Sequence, residues 1–243
     1  MKPSQIVNFI RYRIYCANNR LFGRFAATMF HRYYYTSLRK YSDPRWQGVE
    51  TWKNPLDLFV YQEIIYRTKP DLIIETGTYK GGSALFMANM CDIQNHGHVV
   101  TIDINHCDLT HPRITKIVGD SLGAEVITRI ASMLWDNQPS VSVPWGTPPN
   151  KRVMVILDSD HSYDHVRKEL ELYSPLVSDG CYLIVEDTNL NGHPVQPTFG
   201  SGPYEAMKDF LMTHKEFSVD QTAEKFVFTF NPHGYLRKTW RTT

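Results

Sequence analysis

From residue 56 onward the apolar positions switch repeatedly between helical and extended spacing, and the alternation predicts a sheet interleaved with helices. Short β-branched runs at Asp71–Glu75, His98–Ile104, Arg113–Val118, Val153–Leu157 and Tyr182–Glu186 read as buried parallel strands. Helical spacing fills the gaps at Leu56–Thr68, Ser83–Cys91, Leu122–Trp135 and His165–Tyr173, which is the βαβ rhythm of a doubly wound sheet. A further helix opens at Pro203, and the runs Phe217–Gln221 and Phe226–Phe230 bring the expected strand count to seven. The expectation is one α/β domain over residues 46–243, with helices on both faces of a mostly parallel sheet.

Residues 1–45 follow a different pattern. Ile6, Ile10, Ile14, Ala17, Leu21 and Phe25 recur at three- and four-residue intervals, so they share one face of a helical arm. Arg13, Arg20 and Arg24 run along the edge of that stripe. Such a face docks either on the domain or another subunit, or on anionic lipid headgroups. Of the two long connections, Pro139–Asn150 is expected to be a surface loop, whereas Asn189–Pro203 leaves the carboxyl end of the fifth strand. Ligands of open α/β sheets bind at that edge, which makes the second connection a candidate lid or substrate wall.

Charge sharpens the division. The chain of 243 residues carries a net +1, yet residues 1–40 hold eight Lys or Arg and no Asp or Glu. The rest balances to −7. The excess of basic over acidic residues is thus confined to the arm, and no nucleic-acid partner is expected. Four scattered cysteines without a CxxC pair give neither a zinc site nor a disulfide framework. With no leader pattern and no apolar run of roughly 20 residues, a cytoplasmic location is expected, with a peripheral position at the inner membrane face if the arm binds lipid.

Three features in chain order point to an adenosine ligand. Glu75-Thr76-Gly77-Thr78-Tyr79-Lys80-Gly81-Gly82-Ser83 follows the first strand and opens the first helix, so its glycines permit a sharp turn and close approach of a ligand. The spacing is not GxGxxG, which argues against the alternative of a nicotinamide-dependent or hydroxylase-type oxidoreductase component. Glu75 is a candidate for the amino-acid end of a sulfonium cofactor, which has no phosphate to repel. Asp103 ends the second strand, where a carboxylate can accept from both ribose hydroxyls. Asp120 and Ser121 follow the third and are candidates for the adenine edge, with a helix cap the alternative for Asp120.

Carboxylates also gather after the next two strands, in Leu157-Asp158-Ser159-Asp160-His161 and Val185-Glu186-Asp187-Thr188-Asn189. In a parallel sheet these converge at one edge, where a hard divalent cation relieves their repulsion. Asp158, Glu186 and Asp187 are the expected magnesium ligands, with Asp160 in reserve. His161 is the candidate general base for a hydroxyl held at the cation.

With these segments the chain resembles the cephalosporin hydroxylase/rhamnosyl O-methyltransferase family of class I methyltransferases, over roughly residues 45–243. Further matching stretches are Asn189-Leu190-Asn191-Gly192-His193-Pro194 and Phe199-Gly200-Ser201-Gly202-Pro203-Tyr204-Glu205-Ala206. The resemblance implies a Rossmann-like sheet with its last strand antiparallel and S-adenosylmethionine at the first motif, touching Glu75, Gly77, Tyr79, Gly81, Ser83, Asp103, Asp120, Ser121 and Asp158. It also implies Mg2+ on Asp158, Glu186 and Asp187, and His161 as base. Related macrolide-sugar methyltransferases share the Asp-x-x-His and Glu-Asp pattern, favouring Asp158 over Asp160. A small-molecule or glycan acceptor bearing a sugar hydroxyl, shaped by His193 and Tyr204, and a homo-oligomer complete the expectation.

Overall fold

The structure is a computed structural model that describes residues 3–135 and 150–239; the side chains of residues 3, 4 and 17–21 lie outside it. The proline-rich loop expected at 139–150 therefore falls, apart from Asn150, outside the described residues, as do the side chains of Ala17, Arg20 and Leu21. A 30-residue helix, α1 (Pro3–Arg32), runs into a π-helical turn at Tyr33–Ser37. Next comes a two-stranded hairpin, β1 (Arg45–Trp46) with β2 (Val49–Glu50). Gln47 and Gly48 both have positive φ, as a two-residue hairpin turn requires.

The domain then alternates α2 (Pro55–Thr68), β3 (Leu72–Thr76), α3 (Gly82–Ile93), β4 (His98–Asp103), β5 (Ile114–Val118), α4 (Ala124–Leu134), β6 (Val153–Leu157), α5 (Tyr163–Tyr173), β7 (Tyr182–Val185), α6 (Pro203–Thr213), β8 (Phe217–Val219) and β9 (Tyr235–Lys238). Local chemistry sets the boundaries. Asn54 accepts from the Leu56 amide ahead of Pro55 and so starts α2. Lys69 takes a left-handed conformation just before Pro70 and ends it.

The seven strands lie in the order β5-β4-β3-β6-β7-β9-β8, parallel except for β9, which pairs antiparallel with both neighbours. Each central strand buries both faces, so alternate residues feed two cores. Ile74, Val100 and Val155 pack with Val126, Leu170 and Phe210 of α4, α5 and α6. Ile73, Val99 and Ile156 pack with Ile64 and Met87 of α2 and α3. Because β3 and β4 leave the sheet centre in the same direction as β6 and β7, their carboxyl ends form one rim.

Two expectations change. Phe226–Phe230 is not a strand; the last strand, antiparallel as expected, is β9 at Tyr235–Lys238. The aromatic alternation at 226–230 instead supplies Phe228 and Phe230 to a small separate core with Tyr35, Leu190 and Val195. The arm does not pack along the domain either. Ile10 and Phe25 of its apolar stripe are 51% and 66% exposed, and α1 meets the body through its last turn. There His31 is buried, its ring stacked on Phe230 with centroids 5.7 Å apart and 3.0 Å from the Asn189 amide nitrogen. A boundary at residue 45 therefore cuts through packed structure, since Tyr35 belongs to the body's core.

Candidate active site

A cleft of about 630 Å³ opens along the carboxyl rim of β3, β4, β5 and β6, within the usual size range of small-molecule sites. Gly77, at φ +86°, sits at its floor, where a Cβ would run into the Asp158 carbonyl oxygen. Only glycine lets the β3 turn lie this close to the end of β6. Tyr79 lines the cleft and, with Trp52 at a centroid distance of 4.6 Å, forms an aromatic lip. Ser83 also lines it; Gly81 does not, and instead holds a left-handed bend at φ +83° before α3.

Asp103 reaches the cleft with its carboxylate positioned by the Tyr79 and Asn105 amides, both 2.8 Å away. Asp120 and Ser121 line the same side. Asp120 accepts from the Leu122 amide at 3.0 Å, and the N-cap of α4 is Gly123, so Asp120 braces a turn rather than capping the helix. Glu75 differs from expectation. It is fully buried, with one oxygen taken by the Ser83 hydroxyl at 2.5 Å and the other by Thr101 at 2.7 Å. Burial, only partly offset by Lys53, pushes its carboxyl up to about 7. Glu75 thus ties the glycine turn to the sheet from below and does not face the cleft.

At the other end of the cleft, donor atoms of Asp158, His161 and Asp187 lie within 4.8 Å of one another. His161 Nε2 is 2.7 Å from Asp187 Oδ2. Burial opposes charge on this ring, but Asp187, with Asp158 behind it, prevails and raises His161 to about 9. The same contact outweighs burial at Asp187 and holds its carboxyl below the ordinary range. Asp160 stands outside the group, its carboxylate occupied by the Ser162 amide at 2.7 Å.

Glu186 does not join that group. Asp187 turns into a left-handed conformation, φ 53°, with its amide held 3.0 Å from Asn231 Oδ1. The two neighbouring carboxylates therefore diverge, Asp187 toward the cleft and Glu186 into the protein. Such backbone strain in a residue other than glycine is stored where the site demands it. Glu186 accepts a hydrogen bond from the Tyr61 hydroxyl and lies 2.7 Å from Lys53 Nζ. Lys53 Nζ is also 2.6 Å from Asp158 Oδ2, and its side chain is 3% exposed. One buried ammonium thus links two of the three expected ligands. Burial disfavours charge on Lys53, but Asp158, Glu186 and Glu75 together hold it firmly protonated.

Lys53 carries no sequence signal beyond its place just before the N-cap of α2; a buried lysine is visible only once its partners are. Tyr35 and Tyr41, stacked 4.8 Å apart, likewise join the cleft wall from the arm side. His193 and Tyr204 do not line the cleft. They stack on each other at 3.8 Å while Glu205 holds His193 Nε2 at 2.9 Å. Glu205 also binds Asn191 and the Gly202 amide, so the 189–203 connection is anchored at both ends instead of swinging free.

A parallel sheet with a single antiparallel strand second from the edge, a glycine turn after the first strand of the sheet, and an acid ending the second define a class I methyltransferase fold. The comparison with known proteins is narrower. Residues 39–239 match the family described as rhamnosyl O-methyltransferase/CmcI. The rhamnosyl O-methyltransferase of Mycobacterium leprae is 38% identical, covering 86% of this chain and 89% of its own. That of Mycobacterium tuberculosis strain H37Rv is 36% identical, covering 89% and 91%. The chain belongs to this family of S-adenosylmethionine-dependent O-methyltransferases. Among solved structures, apo CmcI-N160 superposes with a TM-score of 0.59 at 20% identity, over 82% of this chain and 77% of that one. CmcI-D160 described with Mg and SAM gives 0.57 at 20% identity, over 82% and 78%. Both show the shared fold. The family is one of methyltransferases, which leaves the oxidoreductase alternative without support.

Proposed function

We propose that this protein transfers the methyl group of S-adenosylmethionine to a hydroxyl of a rhamnose-like sugar, with a divalent cation, Mg2+ by preference, held at the Asp158 and Asp187 carboxylates. The observation that carries the reading is the Asp158–His161–Asp187 group: hard oxygen donors and one imidazole, partly open to the cleft, suit a hard divalent ion. In this reading Asp103 meets the ribose hydroxyls, Asp120 and Ser121 the base, and Gly77, Tyr79 and Ser83 the amino-acid end; that all six line one cleft supports it. Relatives named for rhamnosyl O-methylation point to the acceptor class.

A divalent cation, when bound, supplies Lewis acidity toward a hydroxyl and offsets the carboxylate charge. Asp158 and Asp187 would hold it, and Glu186 supports the site from the buried side through Lys53. His161 would take the acceptor's proton in its neutral form; Asp187 and Asp158 favour the charged ring in the bare site, and a cation drawing off their charge would return the ring to the neutral state that a base needs. The acceptor oxygen forms the new C–O bond as the methyl carbon leaves sulfur, and S-adenosylhomocysteine is the neutral thioether left behind. Tyr35, Tyr41, Trp52 and Tyr79 wall the cleft, restricting water and holding oxygen and methyl in line.

The test is methyl transfer from labelled S-adenosylmethionine to a rhamnosyl glycoside, with and without excess EDTA, beside calorimetry with S-adenosylhomocysteine. Turnover is expected to stop on chelation and return with added Mg2+. Undiminished turnover in EDTA would remove the metal from the reading.

A further inference from the structure

The arm presents an exposed surface that the reaction does not use. At about 1.5 Å per residue, α1 extends some 45 Å. Its apolar side chains face solvent: Ile6, Phe9, Ile10, Ile14, Phe22 and Phe25 are all between 46% and 66% exposed. Arg11, Arg13 and Arg24 are exposed among them, and no acidic residue occurs before residue 43. The helix is not long and apolar enough to cross a membrane. An exposed, acid-free helix mixing arginine with aromatic and aliphatic side chains needs a partner that is apolar beneath and anionic at its surface.

We propose that α1 lies along an anionic lipid bilayer, its apolar residues entering the interface and its arginines meeting the headgroups. Like charge argues against α1 pairing with the α1 of a second copy. Two α1 helices side by side would set like charges together. The apolar groove beside the arm's root, near Phe59, Phe86 and Met90, is rimmed by Lys40, Arg45 and Asp43, and Asp43 is already paired with Lys40, so the rim offers no net negative charge to a basic helix. The body carries the balance of −7, so it is repelled by the same bilayer that attracts the arm, which leaves attachment to α1. The root transmits that attachment: buried His31 stacks on Phe230 of the cleft lining, and Arg32 donates to the Pro194 carbonyl at 3.0 Å, fixing the helix to the body beside the cleft.

The experiment is sedimentation of the full-length protein with vesicles of phosphatidylcholine alone, and with about one-third phosphatidylglycerol. Binding is expected on the anionic vesicles, weakening as salt rises. The variant R11E/R13E/R24E, checked for wild-type circular dichroism and S-adenosylhomocysteine affinity, should partition about a hundredfold less. Equal binding to both vesicle types, or wild-type partitioning of the variant, overturns the proposal. So does an oligomer, seen by light scattering without lipid, that F22S/F25S dissolves while vesicle binding is absent; that outcome assigns α1 to a second copy. None of these readouts depends on turnover, so the methyl-transfer reading stands or falls separately.

Discussion

Lys53→Met isolates a feature of the site that local sequence pattern does not mark. Lys53 Nζ lies 2.6 Å from Asp158 and 2.7 Å from Glu186, with Glu186 also only 3% exposed. Methionine keeps the length and volume of the stem but removes the charge, leaving two carboxylates facing each other in a dry environment. Removing one partner from a buried ion pair costs about 3–5 kcal/mol, far more than an exposed pair would. For a domain of this size that corresponds to a fall in Tm of roughly 10 °C in EDTA. A divalent cation then has more to repair in the variant than in the wild type. At a hundred times its Kd, binding restores about 2.7 kcal/mol. The assay is urea unfolding and differential scanning fluorimetry of both proteins in EDTA and across a Mg2+ series, followed without substrate. The variant should lose stability strongly in EDTA and regain more of it with Mg2+ than the wild type. A loss below about 1 kcal/mol, the range of solvent-exposed pairs, would refute the claim that Lys53 neutralises the cluster. An equal Mg2+ response in both proteins would show that the ion and the lysine do not share those carboxylates.

Two further outcomes follow from the same geometry. His161 rises from 6.5 to about 9 in the folded chain, so the folded state binds more protons than the unfolded between those values; stability is full below pH 6.5 and falls as pH climbs toward 9. The span corresponds to about 3 kcal/mol, and His161→Gln should flatten urea-melt stability over that window; an unchanged slope would deny the Asp187 contact its weight. Gly77→Ala meets both a φ of +86° and the Asp158 carbonyl, and should cost roughly 2–4 kcal/mol while abolishing S-adenosylhomocysteine binding by calorimetry; wild-type affinity would mean the turn can shift.

What the sequence made legible is what burial writes into residue type. The four strands β3, β4, β6 and β7 are nearly continuous β-branched or aliphatic runs because both faces are covered, and their carboxyl ends placed Gly77, Asp103, Asp158 and Asp187 on one rim. β9 escaped notice because Tyr235-Leu236-Arg237-Lys238 is short and half of it is polar. Phe226–Phe230 took its place because alternating aromatics fit a strand as well as they fit a cluster around His31. Glu186 and Asp187 look equivalent in a row of letters; only the left-handed backbone at Asp187 sends them apart. The neighbourhood of Glu75 suggests a ligand contact, whereas its two hydroxyl partners, eight and 26 residues away, hold it in the interior. Such separations are set by tertiary packing, which local pattern does not encode.

The root of α1 acts as a keystone set across the boundary of the shared family region. That region starts at residue 39, so a chain shortened to it would keep every strand and all three carboxylates yet lose His31 and Tyr35. Phe228 and Phe230 would be stripped of their covering rings, and the cleft would stand open on one flank. An apparently dispensable leader thus doubles as masonry, and shortening it from the front trades a floor for a doorway.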